Sequence, residues 1–354
     1  MLGSAYGRRT PRKTEKLKLA KGTTPKIVPQ SDECPHIYLS HTVVHTREME
    51  EEFLKCSGVR YRCFSYVYLD PAAIYWSPRA LEAYEVDVEH GNHIMMDSGA
   101  YSFQQFLVKR KDVVDIDKLR LNTVDKYVKF CNKRKKEWDF YVTFDYAPKA
   151  EIVWKMTKVL REKGLNPTPL YHGDASIDWL KRYLDMGYKR LGVSPGVGKR
   201  MTYKGARRCL DEVFKLVESY KVKMHGFGLT SIALTYSYPW HSVDSSSWSR
   251  TASYGAIISM DPDRGSLGTI HVSLTGGLKD STKSATTLSP EALKSVSSYV
   301  EKMGWDFDLL RRSLAYRFIF NGWIFSHLND YYRKPTSSHI KWESLLDKRM
   351  EASW

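Results

Sequence analysis

Short apolar runs alternate along this chain with longer segments in which apolar residues return every three or four positions. Ile37-Tyr38-Leu39 is the first short run, and an aromatic-rich, alternating stretch from Tyr61 to Leu69 is the second; both read as strands. Further strand patterns cover His93 to Asp97, Phe140 to Asp145, Thr168 to Gly173, Arg190 to Ser194, Val222 to Phe227 and His241 to Asp244. Helical patterns separate most of them. Thr46 is placed to cap a helix running from Arg47 to about Cys56 before Gly58, and Pro78 opens another to about Val86. Asp117 to Lys136 has the helical period, and so do Ile152 to Lys163, Ile177 to Met186 and Cys209 to Tyr220, with Gly164 and Gly187 as stops. Such alternation requires a parallel sheet, and eight units predict an α/β fold of the (β/α)8 TIM-barrel type.

The pattern loosens after residue 250. Ala256 to Met260 is a short apolar run, Asp261-Pro262-Asp263 turns the chain, and the Gly-, Ser- and Thr-rich stretch from Gly265 to Thr287 reads as a hairpin or lid. Pro290 to Met303 and Phe307 to Tyr332 read as helices, the second carrying Phe318, Phe320, Trp323, Ile324 and Phe325, an aromatic stripe suited to packing. The organisation predicted is therefore a basic N-terminal arm (1–30), a catalytic barrel (31–260), and a lid or hairpin with a C-terminal helical extension packed on the barrel (261–354).

Composition narrows the partners. Of 354 residues 42% are hydrophobic, enough for a full core, and the net charge of +15 points to a polyanion, nucleic acid first. Arg8, Arg9, Arg12, Lys13, Lys16, Lys18, Lys21 and Lys26 crowd the arm, which suits a segment that orders on phosphates or one that merely solubilises. No apolar run approaches membrane-spanning length, and the N-terminus lacks the apolar core of an export signal. Cys34, Cys56, Cys63, Cys131 and Cys209 show no metal-ligand spacing, so reduced thiols, a cytoplasmic location and no metal or other cofactor are expected. Gly196-Val197-Gly198-Lys199 lacks the spacing of a phosphate-binding P-loop, and no G-x-G-x-x-G follows the first strand.

The chemistry concentrates at strand ends. Three apolar runs stop at an aspartate: Asp97, followed by Ser98 and Gly99; Asp145, followed by Tyr146-Ala147-Pro148; and Asp244, followed by three serines. An isolated aspartate there is an ordinary turn cap. Three of them on parallel strands of one barrel converge on one mouth, where carboxylates unpaired with cations suit two tasks. One is accepting hydrogen bonds from a purine edge; the other is attack on, or stabilisation of, a sugar carbon of oxocarbenium character. A basic exterior around such a pocket fits a nucleic acid held by its phosphates with one base drawn inside. A non-catalytic nucleic-acid-binding barrel, and a barrel enzyme acting on a small phosphorylated metabolite with Gly196, Gly198 and Lys199 as its phosphate site, remain open on these grounds.

The motifs also resemble a family. Asp97-Ser98-Gly99-Ala100-Tyr101-Ser102-Phe103-Gln104 is similar to the Asp-Ser-Gly-Gly-Phe-Gln signature of queuine/archaeosine tRNA-guanine transglycosylases. Phe144-Asp145-Tyr146-Ala147-Pro148, Gly192-Val193-Ser194-Pro195 and His225-Gly226-Phe227-Gly228-Leu229-Thr230 resemble the segments that follow in that family, and Asp244 falls where its nucleophile lies. Order and spacing agree from about residue 93 to 255. The chain departs from the family's tRNA enzymes at Ala100, at the apparently inserted Ser102, and in having no cysteine after Cys209 to build their zinc site. Together with Ser-Val-Asp-Ser-Ser-Ser-Trp around Asp244, these departures look more like the branch, encoded by phages and mobile islands, that exchanges guanine in DNA for a 7-deazaguanine.

The resemblance implies base exchange on DNA with a free 7-deazaguanine, Asp244 as nucleophile and Asp97 as proton shuttle. It implies that Asp145 and Asp97 read the base, Tyr101 stacks on it, and Ser98, His172, Gly192, Val193 and Gly228 supply further base contacts. Arg250, with Lys199 and Arg200, is then expected on the nucleic-acid backbone. A phage protein of this kind would work in the host cytoplasm. A tRNA-guanine transglycosylase, or a glycosylase that hydrolyses the intermediate, is the alternative within the same chemistry. The zinc region helps to build the dimer of the tRNA enzymes, so its absence leaves the oligomeric state open.

Overall fold

The computed structural model describes residues 30, 34–41, 46–109, 116–145, 149–195, 202–229, 231–261, 266–274 and 288–332. The basic arm up to residue 29, Lys199, Arg200 and most of the Gly265–Thr287 stretch lie outside the described residues.

Eight parallel strands run in chain order around the molecule: β1 (His36–Ser40), β2 (Tyr61–Ser65), β3 (His93–Asp97), β4 (Phe140–Tyr141), β5 (Leu170–His172), β6 (Arg190–Ser194), β7 (Lys223–Gly226) and β8 (Ser242–Ser245). β1 pairs with both β2 and β8. A parallel bridge between Val142 and Thr168 joins β4 to β5, with the Thr168 N–H on the Tyr141 carbonyl at 2.8 Å and the Thr143 N–H on the Thr168 carbonyl at 2.9 Å. These bonds close the sheet, so the fold is the predicted (β/α)8 barrel.

Between the strands lie α1 (Arg47–Ser57), α2 (Tyr66–Leu69), α3 (Pro78–Glu89), α4 (Ala100–Lys109), α5 (Ile116–Arg134), α6 (Ala150–Glu162), α7 (Ile177–Asp185), α8 (Tyr203–Val217) and α9 (Ile232–Ser237). The signals behind them are local. Thr46 accepts the Met49 N–H at the start of α1, and Gly58 ends that helix in the left-handed region at φ 68°. Two differences from the sequence reading have equally local causes. The Tyr61–Leu69 run is a strand only to Ser65, because Tyr66, Val67 and Leu69 are all buried in one helical turn, a pattern that a short apolar run does not distinguish from a strand. The α8 helix begins six residues before Cys209, capped by Thr202 on the Gly205 N–H at 3.1 Å; a glycine in the first turn hides its start.

After β8 come α10 (Ser247–Ser253) and an antiparallel hairpin of β9 (Ala256–Asp261) and β10 (Ser266–His271), then α11 (Pro290–Lys302), α12 (Phe307–Arg312), α13 (Leu314–Ser326) and α14 (Leu328–Tyr332). The single helix expected from Phe307 to Tyr332 is three: Ser313 caps a new one by accepting the Tyr316 N–H at 3.2 Å, and that one ends at His327 before α14 begins. The α13 helix packs on α1 and α10 and against β1, and Tyr316 to Ser326 are buried along it. It therefore occupies the place of the barrel's eighth helix. At its centre Asn321 is fully buried, donating to the Trp248 carbonyl and accepting from the Ile258 N–H. This satisfied amide ties α10 and β9 to α13.

Candidate active site at the barrel mouth

The barrel interior is filled beneath the mouth by Tyr38, Tyr61, Cys63, Met95, Phe140 and Val142, with Phe227 packed against them. Above this floor opens a cavity of about 850 Å³. Asp97, Asp145 and Asp244 all line it. The side chains that meet there come from the C-terminal ends of strands far apart in sequence, where barrel folds gather reactive groups.

Each carboxylate is held by its own local device. Asp97 Oδ2 accepts the Gly99 N–H at 2.8 Å, an Asx turn that gives the Asp-x-Gly sequence its meaning. Gly99 has φ 71°, and a Cβ there would lie 2.4 Å from Val67 Cγ1, so a larger residue meets both backbone strain and a clash. Asp244 Oδ1 accepts the Gly228 N–H at 2.8 Å and lies 3.4 Å from His225 Nε2. Asp145 Oδ2 lies 3.2 Å from His172 Nε2, yet the ring N–H is not aimed along that line, and neither nitrogen of this buried imidazole has a hydrogen-bond partner among the described residues. His172 lines the cavity, and a buried imidazole without an aligned partner there is a candidate ligand contact.

No Lys or Arg stands within ion-pair distance of the three acids among the described residues. Burial pushes the Asp97 carboxyl up to about 7, and the neighbouring charges of Asp145 and Asp244 add to the effect against the opposing Gly99 N–H. Burial raises Asp145 too, partly offset by His172. A carboxyl poised near neutrality both gives and takes a proton at physiological pH.

Tyr101, His172, Gly228 and Arg250 also line the cavity; Tyr101 is 71% exposed at the start of α4. Three residues expected at the base do not line it. Ser98 is fully buried, and its Oγ accepts the Ala100 N–H at 3.4 Å. Successive strand residues face opposite ways, so the residue after an inward Asp97 turns away. Val193 packs into the core between barrel and helices. The Gly192 N–H is spent on the Pro169 carbonyl at 2.9 Å, and a Cβ on Gly192 would lie 2.1 Å from the Phe227 ring. This glycine makes room for Phe227, which lines the cavity in its place. Sequence reasoning also passed over Tyr68, Ser102, Gln104 and Cys63 in the wall, and His225 just beneath it. Alternation along β2 and β7 marks Cys63, His225 and Phe227 as inward, the one signal available for them.

No known family model and no curated protein sequence matches the chain. Among solved structures it is similar to an Aquifex aeolicus VF5 protein determined in a "structural study of Project ID", at 14% identity over 60% of this chain and 83% of that one, with a TM-score of 0.36. It is similar also to a chain of the tryptophan synthase α2β2 complex of the hyperthermophile Pyrococcus furiosus, at 14% identity over 62% of this chain and 89% of that one, with a TM-score of 0.37. Among the described residues no three His, Cys, Asp or Glu side chains are grouped to hold a metal ion, and no helix is long and apolar enough to cross a membrane. Fold and site together define a (β/α)8 barrel with a carboxylate-lined mouth.

Proposed function

We propose that this protein is a pentosyltransferase that replaces guanine in DNA by a 7-deazaguanine such as the 7-cyano or 7-aminomethyl base. The observation that carries the reading is the meeting of Asp97, Asp145 and Asp244 in one cavity, with no Lys or Arg among the described residues within ion-pair distance of them. Asp244 attacks C1′ of an extruded deoxyguanosine; the C1′–N9 bond breaks, its electron pair leaves with guanine, and the Asp97 carboxyl supplies the proton. The 7-deazaguanine then gives its N9 proton to Asp97 and attacks C1′, and the C1′–O bond returns its pair to Asp244. Two inversions give retention. One glycosidic bond replaces another, so no nucleoside triphosphate enters.

Asp145 and His172 face the purine edge, Tyr101 at the rim stacks on the base, and Arg250 meets the backbone. The net charge of +15 supports a polyanionic substrate, and the serine-rich surroundings of Asp244 support DNA rather than tRNA through the family resemblance. Incubation with DNA, tRNA and labelled guanine or 7-deazaguanine tests the reading. Label enters DNA alone and is lost with Asp244→Asn. Label in tRNA overturns the substrate, and binding without incorporation overturns the chemistry.

A further inference from the structure

The nucleophile proposed above has an asymmetric environment. Ser242 and Asp244 lie two residues apart on β8 and so face the same way, into the barrel. The register of β7 on β8 sets His225 opposite Ser242. The imidazole Nδ1 is 2.8 Å from Ser242 Oγ, and Nε2 is 3.4 Å from Asp244 Oδ1. The Gly228 N–H, at 2.8 Å, reaches the same oxygen. Both donors therefore approach Oδ1, and no partner is found for Oδ2 among the described residues.

We infer that His225 is a positioning residue for Asp244, holding Oδ1 so that Oδ2 is the oxygen that attacks and leaves C1′. This rests on the reading of Asp244 as nucleophile. His225 is fully buried and enclosed by Tyr38, Phe140 and Phe227, their ring centroids 6.2, 5.2 and 4.6 Å away. Burial, with Arg190 adding to it, pushes its pKa down despite Asp244, so the ring is neutral and carries one N–H. The tautomer with that N–H on Nε2, toward the carboxylate, is the one in which Nδ1 accepts from the Ser242 hydroxyl. The contact is long and Nε2 has no aligned partner, so a buried donor waits for a small turn of the carboxylate. Two N–H groups on Oδ1 favour the free carboxylate over the glycosyl ester, whose carbonyl oxygen accepts more weakly. They therefore matter most when Oδ2 leaves C1′ and its electron pair returns to Asp244.

The test compares His225→Phe, His225→Gln and Ser242→Ala in the full chain, with thermal unfolding measured alongside. His225→Phe lowers kcat for base exchange by about 10- to 100-fold, the scale of one lost hydrogen bond to a charged group, while kcat/KM for DNA and KM for the free base stay within about twofold because the loss falls on the second half-reaction. The fraction of enzyme trapped as covalent adduct rises, because departure slows more than attack. His225→Gln, which keeps an N–H at that reach, recovers most of the rate. Ser242→Ala frees the tautomer and gives a smaller loss of the same kind, and it decides the matter if the Phe variant does not fold. A wild-type kcat in folded His225→Phe or Ser242→Ala, a change in KM alone, or a Gln variant no better than Phe overturns the role. Exchange that survives Asp244→Asn fails the nucleophile reading instead.

Discussion

Two groups of acids in this barrel, one fully buried and one half-buried at the mouth, are treated in opposite ways. Glu50 of α1 and Asp87 of α3 are fully buried outside the barrel wall, and both face the guanidinium of Arg62 on β2, with the Arg62 Nε 3.4 Å from Asp87. Arg62 also donates to the Leu39 carbonyl and lies over the rings of Phe53 and Trp248. One cation facing two buried acids leaves excess negative charge, and burial, with Glu50 beside it, drives Asp87 upward against the pull of Arg62. Cys63, the next residue on the strand, points the other way into the cavity, toward Asp97, Asp145 and Asp244. There the partners are two backbone N–H groups and two imidazoles. The chain thus pairs its fully buried acids with arginine where structure is needed, whereas at the mouth no Lys or Arg among the described residues stands within ion-pair distance of the three aspartates, although Arg250 lines the same cavity. Acids left unpaired in a cleft mark a functional site.

The sharpest break of this contrast is a pair of substitutions. Asp244→Asn abolishes base exchange, by at least about 10³-fold, while thermal unfolding changes little, because the amide still accepts the Gly228 N–H. Arg62→Met does the reverse. It strands Glu50 and Asp87 and destabilises the fold by about 3–5 kcal/mol in denaturant titration, less at acidic pH where both acids are protonated. Asp97→Asn falls between them. Exchange slows by about 10²- to 10⁴-fold, the range of a lost acid–base group. Stability moves the other way. Asp97 has a raised pKa in the fold, so the penalty for its charge is absent below the ordinary carboxylate range and grows as pH rises through about 7. The Asn variant is therefore the more stable protein at pH 8, by on the order of 2 kcal/mol, and the difference vanishes near pH 4.

The same group separates the two half-reactions. On the proposed chemistry, release of guanine needs the Asp97 proton and is expected to slow as pH rises through about 7, whereas uptake of the incoming base needs the carboxylate and is expected to speed up. Single-turnover rates of each half, followed from about pH 5 to about pH 9, check the crossing of the two limbs. The smallest effect belongs to the rim. Tyr101→Ala, at an exposed position, changes stability by less than about 0.5 kcal/mol but weakens DNA binding by about 1 kcal/mol, measured by titration.

Much of this architecture is legible in the sequence, for physical reasons. The strands announce themselves as apolar runs, and those of β3 and β8 stop at the acids that face the mouth. What alternation does not carry is which neighbours meet. Ser98 is lost from the site because strand parity reverses between adjacent residues. Gly192 serves Phe227, a contact between β6 and β7 that neither strand shows alone. His225 approaches Asp244 through the register of β7 on β8. The eighth barrel helix is the least legible part. It comes from α13, separated from β8 by a hairpin and three helices, and its apolar surface gives no hint of which strands it will cover.

The most direct measurement is mass spectrometry of the enzyme quenched on guanine-containing DNA with no exchangeable base present. The account predicts a deoxyribosyl adduct on the peptide that contains Asp244, formed with stoichiometric release of guanine and discharged when a 7-deazaguanine is added. Guanine exchange that proceeds without an adduct, or an adduct on any other residue, contradicts it.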